Sequence, residues 1–250
     1  MFKQFMFDIN NMAIHPKKSK CMLIGTKHKL KKNKTLFLSI GNTQIENVEV
    51  QKLLGIYIDN TLSWTHQVSH IRKHVNSKIA LLKRVSYYLT HDMKVMFYNA
   101  YIQSILDYCC PIWGKAKNTQ TILEKSQKRI AGIILSKSTR KIDKNTLKDL
   151  HWLSFENRCI YHTAVLVYKS KAHLTPKYIE ELLQFAFNKQ YELRSSTKGD
   201  LKTIACKTSY LKNSFSYSSK TIWNKIPLHI RNLPTIYKFK KQLKQYLHSL

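Results

Sequence analysis

Residues 53–85 read LLGIYIDNTLSWTHQVSHIRKHVNSKIALLKRV, and this stretch decides the architecture of the chain. Its first part, Leu53 to Asp59, is short, apolar and rich in isoleucine, which is typical of a strand. After a polar turn, apolar residues recur every three or four positions from Trp64 to Val85, which is one face of an amphipathic helix. The stretch therefore predicts a change from strands to helices near residue 60.

The residues before this stretch favour a small antiparallel sheet. The end of a helix is expected over residues 1–11, and strands are expected over residues 20–25, 36–40 and 44–50. The dipeptide Gly41-Asn42 between the last two strands is typical of a tight hairpin turn. Lysines crowd residues 27–34, which we interpret as a loop.

The residues after this stretch predict a series of helices. Thr90 is a suitable N-cap for a helix that runs to Asp107 and is broken by Pro111. Further helices are expected from residue 118 or 119 to 134, around 147–152, after Ser154 to Lys171, after Thr175-Pro176 and over 238–250. We therefore predict a mainly α fold with a small N-terminal antiparallel β-sheet. The expected segments are a sheet-bearing part over 1–60, a helical region over 61–189, a polar linker or loop over 190–213 and a helical C-terminal segment over 214–250.

The charge balance points to a polyanionic partner. The chain has 43 lysines and arginines against 14 aspartates and glutamates, a net charge of +29, which favours nucleic acid or an anionic membrane surface. Fourteen tyrosines and ten phenylalanines favour nucleic acid, because aromatic rings stack on bases. A basic surface without a specific partner is the alternative. Candidate phosphate contacts are Lys27, Lys29, Lys31, Lys32, Lys34, Arg72, Lys73, Lys78, Lys83 and Arg84.

The cysteines and histidines do not predict a metal site. Five cysteines without a repeated spacing indicate reduced thiols, and so a nuclear or cytoplasmic protein without a secretion signal. Cys159 and His162 share a helical turn, but no second pair with metal-ligand spacing accompanies them. The long helix also carries histidines at four-residue intervals, with no cysteine or carboxylate to complete four ligands: His66, His70 and His74.

Five blocks of the chain match, in order, blocks of one polymerase family. The matched positions are Asn11, Met12, Ile14, Lys18, Ser19, Met22; Leu54, Gly55, Ile58, Asp59, Leu62, Trp64, His70, Ile71; Tyr98, Ser104, Tyr108, Trp113; the segment 123–134; and Ser214, Phe215, Trp223, Asn224, Pro227, Ile230, Arg231, Phe239, Lys240, Leu243, Lys244. Departures from the blocks occur at His15 and near Gly132. Together the blocks resemble the C-terminal part of the reverse transcriptases of jockey-like non-LTR retrotransposons.

The resemblance implies the end of a polymerase palm followed by a helical thumb that grips an RNA/DNA duplex. It implies a place for Lys18 beside the incoming triphosphate, where an ammonium group could donate a proton to the leaving pyrophosphate. It also places the strand Leu53 to Asp59 near the primer grip. The family uses magnesium ions held by aspartates that would precede Asn11. Only Asp8 lies there, and no Asp-Asp pair occurs, so no catalytic residues or cofactor are predicted for this chain.

The predicted function is therefore that of a reverse-transcriptase fragment, inactive as a polymerase on its own, that binds an RNA/DNA hybrid or another nucleic acid. Its expected protein partner is the upstream palm, fingers and endonuclease region of the parent polymerase, and no membrane partner is expected. Three alternatives remain open. In these alternatives the chain is an inert remnant of a decayed element, a domesticated interaction protein, or a basic protein that binds membrane surfaces.

Overall fold

The computed structural model describes residues 15–32, 37–116, 119–183, 200–203 and 205–250, without the side chain of Lys144. These residues are mainly helical with small sheets, which confirms the predicted mixture of elements. They fall into two compact units, Met1–Ser69 and His70–Leu250, which we call unit 1 and unit 2. The predicted helix end over residues 1–11 lies outside the described residues.

The described part of unit 1 contains six short strands that pair two by two. The strands are β1 (Lys20–Cys21), β2 (Ser39–Ile40), β3 (Thr43–Gln44), β4 (Glu46–Asn47), β5 (Val50–Leu53) and β6 (Ile56–Asp59). β1 runs parallel to β4, whereas β2 with β3 and β5 with β6 are antiparallel hairpins. The single antiparallel sheet expected from the sequence is therefore replaced by three two-stranded sheets, one of them parallel.

The strand predicted over residues 53–59 instead contains the last residue of β5, a two-residue turn and all of β6. Leu54 and Gly55 have φ angles of 46° and 84° and form the turn between β5 and β6. A turn with two successive left-handed residues matches the right-handed twist of the flanking strands. Glycine adopts this conformation without a steric cost, so it fits the second turn position. The hairpin predicted at Gly41-Asn42 is confirmed, with Ile40 opposite Thr43.

The lysine-rich segment predicted as a loop is partly helical. Residues Lys27–Lys32 form the short helix α1, and residue 34 lies outside the described part of the chain. The backbone N–H of Lys29 donates to Oγ1 of Thr26 at 3.3 Å, so a threonine caps the helix. Lysine is a good helix former, and this propensity outweighs the repulsion between neighbouring charges.

Asp59 joins the last hairpin of unit 1 to the long helix. Its buried carboxylate accepts hydrogen bonds from the backbone N–H groups of Thr61, Ser63 and Trp64 at 3.1, 2.9 and 2.8 Å. It also accepts hydrogen bonds from the hydroxyls of Thr61 and Ser63 at 2.6 and 3.2 Å. The carboxylate thus fixes the turn that leads into helix α2, Thr65–Val85, which the sequence predicted.

Helices make up most of unit 2. After α2 come α3 (His91–Phe97), a π-helical segment (Tyr98–Gln103), α4 (Ser104–Asp107), α5 (Cys110–Trp113), α6 (Thr119–Ile134), α7 (Lys144–Asp149), α8 (Phe155–Lys171), α9 (Lys177–Leu182), α10 (Ser209–Asn213), α11 (Phe215–Lys225), α12 (Leu228–Arg231) and α13 (Ile236–Ser249). Short 3₁₀ turns occur at Pro16–Lys18 and Thr139–Lys141. The caps predicted at Thr90 and Ser154 are confirmed, because their hydroxyls accept from Met93 N and Asn157 N.

The helix predicted from Thr90 to Asp107 contains a π-helical segment in its middle. Tyr98, Ile102 and Leu106 are fully buried at four-residue intervals. The wider π turn keeps such side chains closer to one line than a regular α-helix does. The helix ends before Cys109, whose φ is 52°, and not because of Pro111. Pro111 lies in the first turn of α5, where a missing N–H costs little.

Helix α8 lies at the centre of unit 2, where α5, α6, α11 and α13 all pack against it. Trp113 and Trp223 have no exposed surface and Trp152 is 5% exposed, which confirms them as core residues. Trp64, in unit 1, is only half-buried. The C-terminal segment therefore belongs to the same core as α8: its buried members include Trp223, Phe239, Leu243 and Leu247.

The segment predicted as a linker or loop over residues 190–213 has little regular structure where it is described, until helix α10 begins at Ser209. Leu201 is buried, and its backbone N–H and C=O both bond to the side-chain amide of Asn224, at 2.9 and 3.0 Å. The guanidinium of Arg231 donates to Asp200 Oδ1 at 2.7 Å. These hydrogen bonds attach the segment to α11 and α12. The polar composition of the segment did not predict this attachment.

Candidate functional site

The exposed side of α2 carries a basic face, defined here as Arg72, Lys73, Lys83 and Arg84. Arg72 and Lys83 are eleven positions apart, as are Lys73 and Arg84, so each pair is aligned on the helix about 16 Å apart along its axis. The helix contains no aspartate or glutamate to neutralise these charges. Its opposite side is buried and apolar: Ile71, Val75, Ile79 and Leu82.

Lys78 differs from the four members of the basic face. It is half-buried, and its ammonium lies 5.6 Å from the centroid of the Tyr101 ring. This distance permits a cation–π interaction, which holds the side chain against the protein surface. The structure therefore brings Arg72, Lys73, Lys83 and Arg84 together and sets Lys78 apart.

Two tyrosines that the sequence reasoning missed follow the basic face. Tyr87 and Tyr88 are 90% and 82% exposed, and their ring centroids lie 5.4 Å apart in an edge-to-face arrangement. Exposed aromatic rings next to cationic groups are typical of surfaces on which unpaired bases stack. The signal was present in the sequence, because both tyrosines follow Lys83-Arg84 just beyond the last residue of the apolar stripe, Val85.

Unit 1 carries a separate set of exposed lysines. Lys27, Lys29, Lys31 and Lys32 all lie on the short helix α1 and are exposed, whereas Lys34 lies outside the described residues. Lys18 is exposed on the 3₁₀ turn Pro16–Lys18. Because these residues belong to unit 1 and the basic face belongs to unit 2, the structure presents two sets of cations.

A cluster of potential metal ligands lies between α4, α5 and α8 in unit 2. One ligand atom each of Asp107, Cys110 and His162 lies within 4.8 Å of the others. His162 Nε2 is buried from solvent and is 3.3 Å from Asp107 Oδ1. Arg158 Nε donates to Asp107 Oδ1 at 2.5 Å, and Arg158 Nη2 contacts Oδ2. Burial acts to raise the pKa of Asp107, but His162 and Arg158 outweigh it and hold the pKa below its usual range.

Cys159 adds a second thiol to this cluster. Cys110 and Cys159 are 0% and 1% exposed, and both lie against Gly114. The neighbouring Cys159 thiol, together with burial, raises the pKa of Cys110. A side chain at Gly114 would lie 2.4 Å from Cys159 Sγ, so glycine leaves the room that the sulfur occupies. The sequence reasoning gave Cys159 and His162 no second pair of ligands, but the structure places Asp107 and Cys110 beside them.

A cavity of about 390 Å³ lies next to the cluster, and its lining includes Lys115, Glu156, Cys159, Lys225 and Tyr246. Burial lowers the pKa of Lys115 to about 8, so a sizeable fraction of this amine is neutral near physiological pH. Lys225 is exposed at the rim. The sequence analysis did not single out Lys115 or this cavity.

Magnesium does not fit the described residues. The resemblance implies magnesium held by carboxylates in the parent polymerase. Within the described ranges, Asp107, Cys110 and His162 are the one group of three or more potential ligand residues. This group has a single carboxylate, and thiol and imidazole groups are softer ligands than magnesium favours. No step of nucleotide transfer is therefore assigned to this part of the chain.

Comparison with known proteins identifies no family for this chain. No protein-family model matches it, and searches of curated proteins and of solved structures give no match either. The resemblance to reverse transcriptases therefore rests on the five sequence blocks. Among the described residues, no helix combines the length and the apolar character needed to cross a membrane.

Proposed function

We propose that this chain is a nucleic-acid-binding part of a non-LTR retrotransposon reverse transcriptase. It grips an RNA/DNA duplex through phosphate contacts made by the basic face of α2. The polymerase chemistry of the parent protein belongs to carboxylates that this chain does not contribute. The five sequence blocks support the family, and the basic face supports the role.

The observation that carries the proposal is that the exposed side of α2 carries four cations and that the helix has no anion. Four exposed cations cover about three helical turns, with no carboxylate on the same helix. A long helix holds these cations at fixed distances from one another. Such an array can contact the regularly spaced phosphates of a duplex. Contacts of this kind neutralise phosphates without reading the base sequence, so we expect binding that is tight at low salt and independent of sequence.

The exposed tyrosines extend the proposed surface from paired to unpaired nucleic acid. Tyr87 and Tyr88 follow directly after α2 and present their rings to solvent. Stacking on such rings tolerates every base, because each base has an aromatic face. We propose that they receive single-stranded bases where the template leaves the duplex.

Unit 1 takes the role of the palm end in this proposal. Lys18 would lie at the edge of the active site of the whole polymerase, and the hairpin of β5 and β6 near the primer grip. Unit 1 leaves large apolar side chains uncovered, among them Ile24, Phe37, Leu38, Leu53 and Leu54. These side chains fit a unit that pairs with upstream palm and fingers regions of the parent protein.

A specific observation favours one alternative function, that of a protein-interaction module. Exposed apolar and aromatic residues cluster in sequence after α2: Tyr87, Tyr88, Met93, Met96 and Tyr101. A surface of this composition also suits a protein partner, since tyrosine and methionine are enriched at protein interfaces. Binding to such a partner would resist salt, whereas phosphate-driven binding weakens steeply as salt rises.

Fluorescence anisotropy with a labelled RNA/DNA hybrid tests the proposal. The variant R72A/K73A/K83A/R84A removes the basic face, and K212A/K238A/K241A/K244A removes four other exposed cations of unit 2. The two variants lose the same charge, so a difference between them reports the position of the charge. We expect the basic-face variant to bind at least about tenfold more weakly at low salt, and the control variant to lose much less.

An equal loss of affinity in both variants would contradict the proposal, because it would mean that net charge alone attracts the hybrid. No binding by the folded wild-type chain would also contradict it, and would favour the interaction module or the inert remnant.

A further inference from the structure

Two pairs of residues that are distant in the sequence meet in the core of unit 2. Asp107 and Cys110 stand three positions apart where α4 ends and α5 begins, and Cys159 and His162 stand three positions apart on α8. The three-residue spacing places Cys159 and His162 on the same side of α8, and ligand atoms of Asp107 and Cys110 lie within 4.8 Å of each other across the break between α4 and α5. The four residues carry two thiols, one imidazole and one carboxylate, which is a set of ligands that zinc binds.

We infer that Asp107, Cys110, Cys159 and His162 form a structural site for one zinc ion. The site would fasten α4 and α5 to α8, and it is independent of nucleic-acid binding by the basic face. Zinc is favoured over magnesium or calcium, because thiolate and imidazole are ligands that suit zinc. Four protein ligands and a buried position are typical of a structural site and not of a catalytic one.

The distances support this inference. Ligand atoms of Asp107, Cys110 and His162 already lie within 4.8 Å of one another. In a tetrahedral zinc site, bonds of about 2.0–2.3 Å place ligand atoms roughly 3.3–3.8 Å apart. Small changes of side-chain torsion therefore close the group around an ion. Cys159 lies outside this group of three, but its Sγ and the backbone oxygen of Cys110 border the same point beside Gly114, at 2.4 and 2.6 Å, so the fourth ligand lies on the same side of the site.

Two features of the surroundings suit an ion better than an ordinary core. His162 Nε2 is buried from solvent and faces Asp107 Oδ1 at 3.3 Å, so the imidazole already points at another candidate ligand. Gly114 gives the Cys159 sulfur room that any larger residue would fill, since an added Cβ would lie 2.4 Å from it.

Arg158 pairs with Asp107 through Nε and Nη2, so its positive charge would lie close to a bound zinc ion and would share the same carboxylate. A carboxylate has room for a metal as well as for such donors, and hydrogen-bonded carboxylates are common among metal ligands. Two thiolates and the carboxylate carry three negative charges, which balance the zinc ion and Arg158 together. Arg158 thus makes the buried site neutral and orients its carboxylate ligand.

Binding of zinc displaces the two thiol protons of Cys110 and Cys159 into the buffer. Cobalt(II) is a direct probe, because it replaces zinc and shows a thiolate-to-cobalt charge-transfer band and tetrahedral ligand-field bands. Purified, reduced and metal-stripped full-length chain is titrated with cobalt, then with zinc. We expect one metal ion per chain, both sets of bands, release of about two protons per zinc ion, and a higher melting temperature with zinc.

Variants locate the site. C110S and H162A should lose tight metal binding, whereas C109S/C206S, which keeps Cys110 and Cys159, should retain the full cobalt spectrum. If circular dichroism shows that C110S or H162A does not fold, the cobalt spectra of the wild type and of C109S/C206S test the inference. A cobalt band in both supports the site. Absence of a thiolate-to-cobalt band in the reduced wild type would overturn the inference, as would its loss in folded C109S/C206S.

Discussion

Asp59 fixes the junction between the sheets of unit 1 and the long helix. Burial acts to raise its pKa, but hydrogen bonds from Thr61, Ser63 and Trp64 outweigh burial and hold the pKa below its usual range. The charged form is therefore the one that the folded chain prefers. An aspartate at position 59 therefore suits the turn between strand β6 and helix α2.

The substitution Asp59→Asn should destabilise the folded chain by about 2 kcal/mol. One carboxylate oxygen would be replaced by an NH₂ group, which cannot accept the hydrogen bonds that the backbone N–H groups now donate. Urea unfolding measures the loss, with the exposed Asp149→Asn as control. The folded pKa of Asp59 is lowered, so its stabilisation is present above the ordinary aspartate pKa and is lost as pH falls through the folded value. Equal stability of the two variants would contradict this role.

Tyr98 provides a second test at the level of single residues. Its ring stacks on Trp152 at a centroid distance of 3.6 Å, and its hydroxyl accepts from Gln127 Nε2 at 3.1 Å. Burial is the main cause that raises the pKa of Tyr98 to about 12, against an ordinary value of 10.0. The neutral form is therefore favoured in the folded chain, and stability falls as pH rises from about 10 to 12.

The substitution Tyr98→Phe should remove part of this alkaline loss of stability. The wild type should lose about 2–3 kcal/mol more than Y98F between pH 10 and pH 12, since one pKa unit corresponds to about 1.4 kcal/mol. Both proteins carry the same lysines and other tyrosines, so the difference isolates Tyr98. Denaturant unfolding at several alkaline pH values measures it, and parallel curves for the two proteins would contradict the assignment.

Residue-level features were predictable where they are local. Thr90 and Ser154 were recognised as caps because a capping hydroxyl bonds to a backbone N–H only three positions away. The pair of Asp107 and Arg158, which are 51 positions apart, could not be recognised, because nothing local joins them. The candidate metal site could not be recognised for the same reason. Its two pairs, Asp107 with Cys110 and Cys159 with His162, come together only when the helices pack.

At the level of elements, the strongest periodic pattern gave the most accurate prediction. The apolar stripe from Trp64 to Val85 became α2 with nearly the expected bounds. Short elements went wrong where two tendencies compete. Leu54-Gly55 interrupts an apolar run without a polar residue, so the turn was hidden. The lysines of α1 favour a loop by charge and a helix by propensity, and the propensity prevails over Lys27–Lys32.

Helix α8 should depend on its N-cap, because it is the element on which the rest of unit 2 packs. Ser154 Oγ accepts a hydrogen bond from Asn157 N at 3.2 Å. Ser154→Ala should cost about 1 kcal/mol of stability, whereas Ser154→Asp keeps an acceptor and adds a favourable charge at the helix N-terminus. Thermal unfolding compares them. If the alanine and aspartate variants unfold together, the cap does not stabilise α8.

At the level of the whole molecule, the C-terminal helices complete the core around α8. Leu243 on α13 has no exposed surface, and its neighbour Gln242 is exposed. Leu243→Ala should destabilise unit 2 by about 2–5 kcal/mol, whereas Gln242→Ala should stay within about 0.5 kcal/mol of the wild type. Hydrogen exchange should show lost protection in α8 as well as in α13. Loss confined to α13 would mean that the C-terminal segment unfolds separately.

The sequence allowed the overall composition of the fold to be predicted, but not how distant segments join. The polar composition of residues 190–213 gave no sign that Leu201 is buried against Asn224. The basic face was predictable from charge and period, apart from Lys78, whose contact with Tyr101 depends on packing. The position of Tyr87 and Tyr88 after Lys83-Arg84 was visible in the sequence, whereas the exposure of both rings depends on packing.

The central claim is that the basic face of α2 grips nucleic acid by its phosphates, and salt dependence of binding tests it most directly. Affinity for a labelled RNA/DNA hybrid is measured over a range of salt concentrations for the wild type and for R72A/K73A/K83A/R84A. Each phosphate contact contributes about 0.9 to the slope of log affinity against log salt, so four contacts contribute about 3.6. We expect the variant to have a shallower slope by up to that amount. An unchanged slope would contradict the claim, because it would place the phosphate contacts elsewhere.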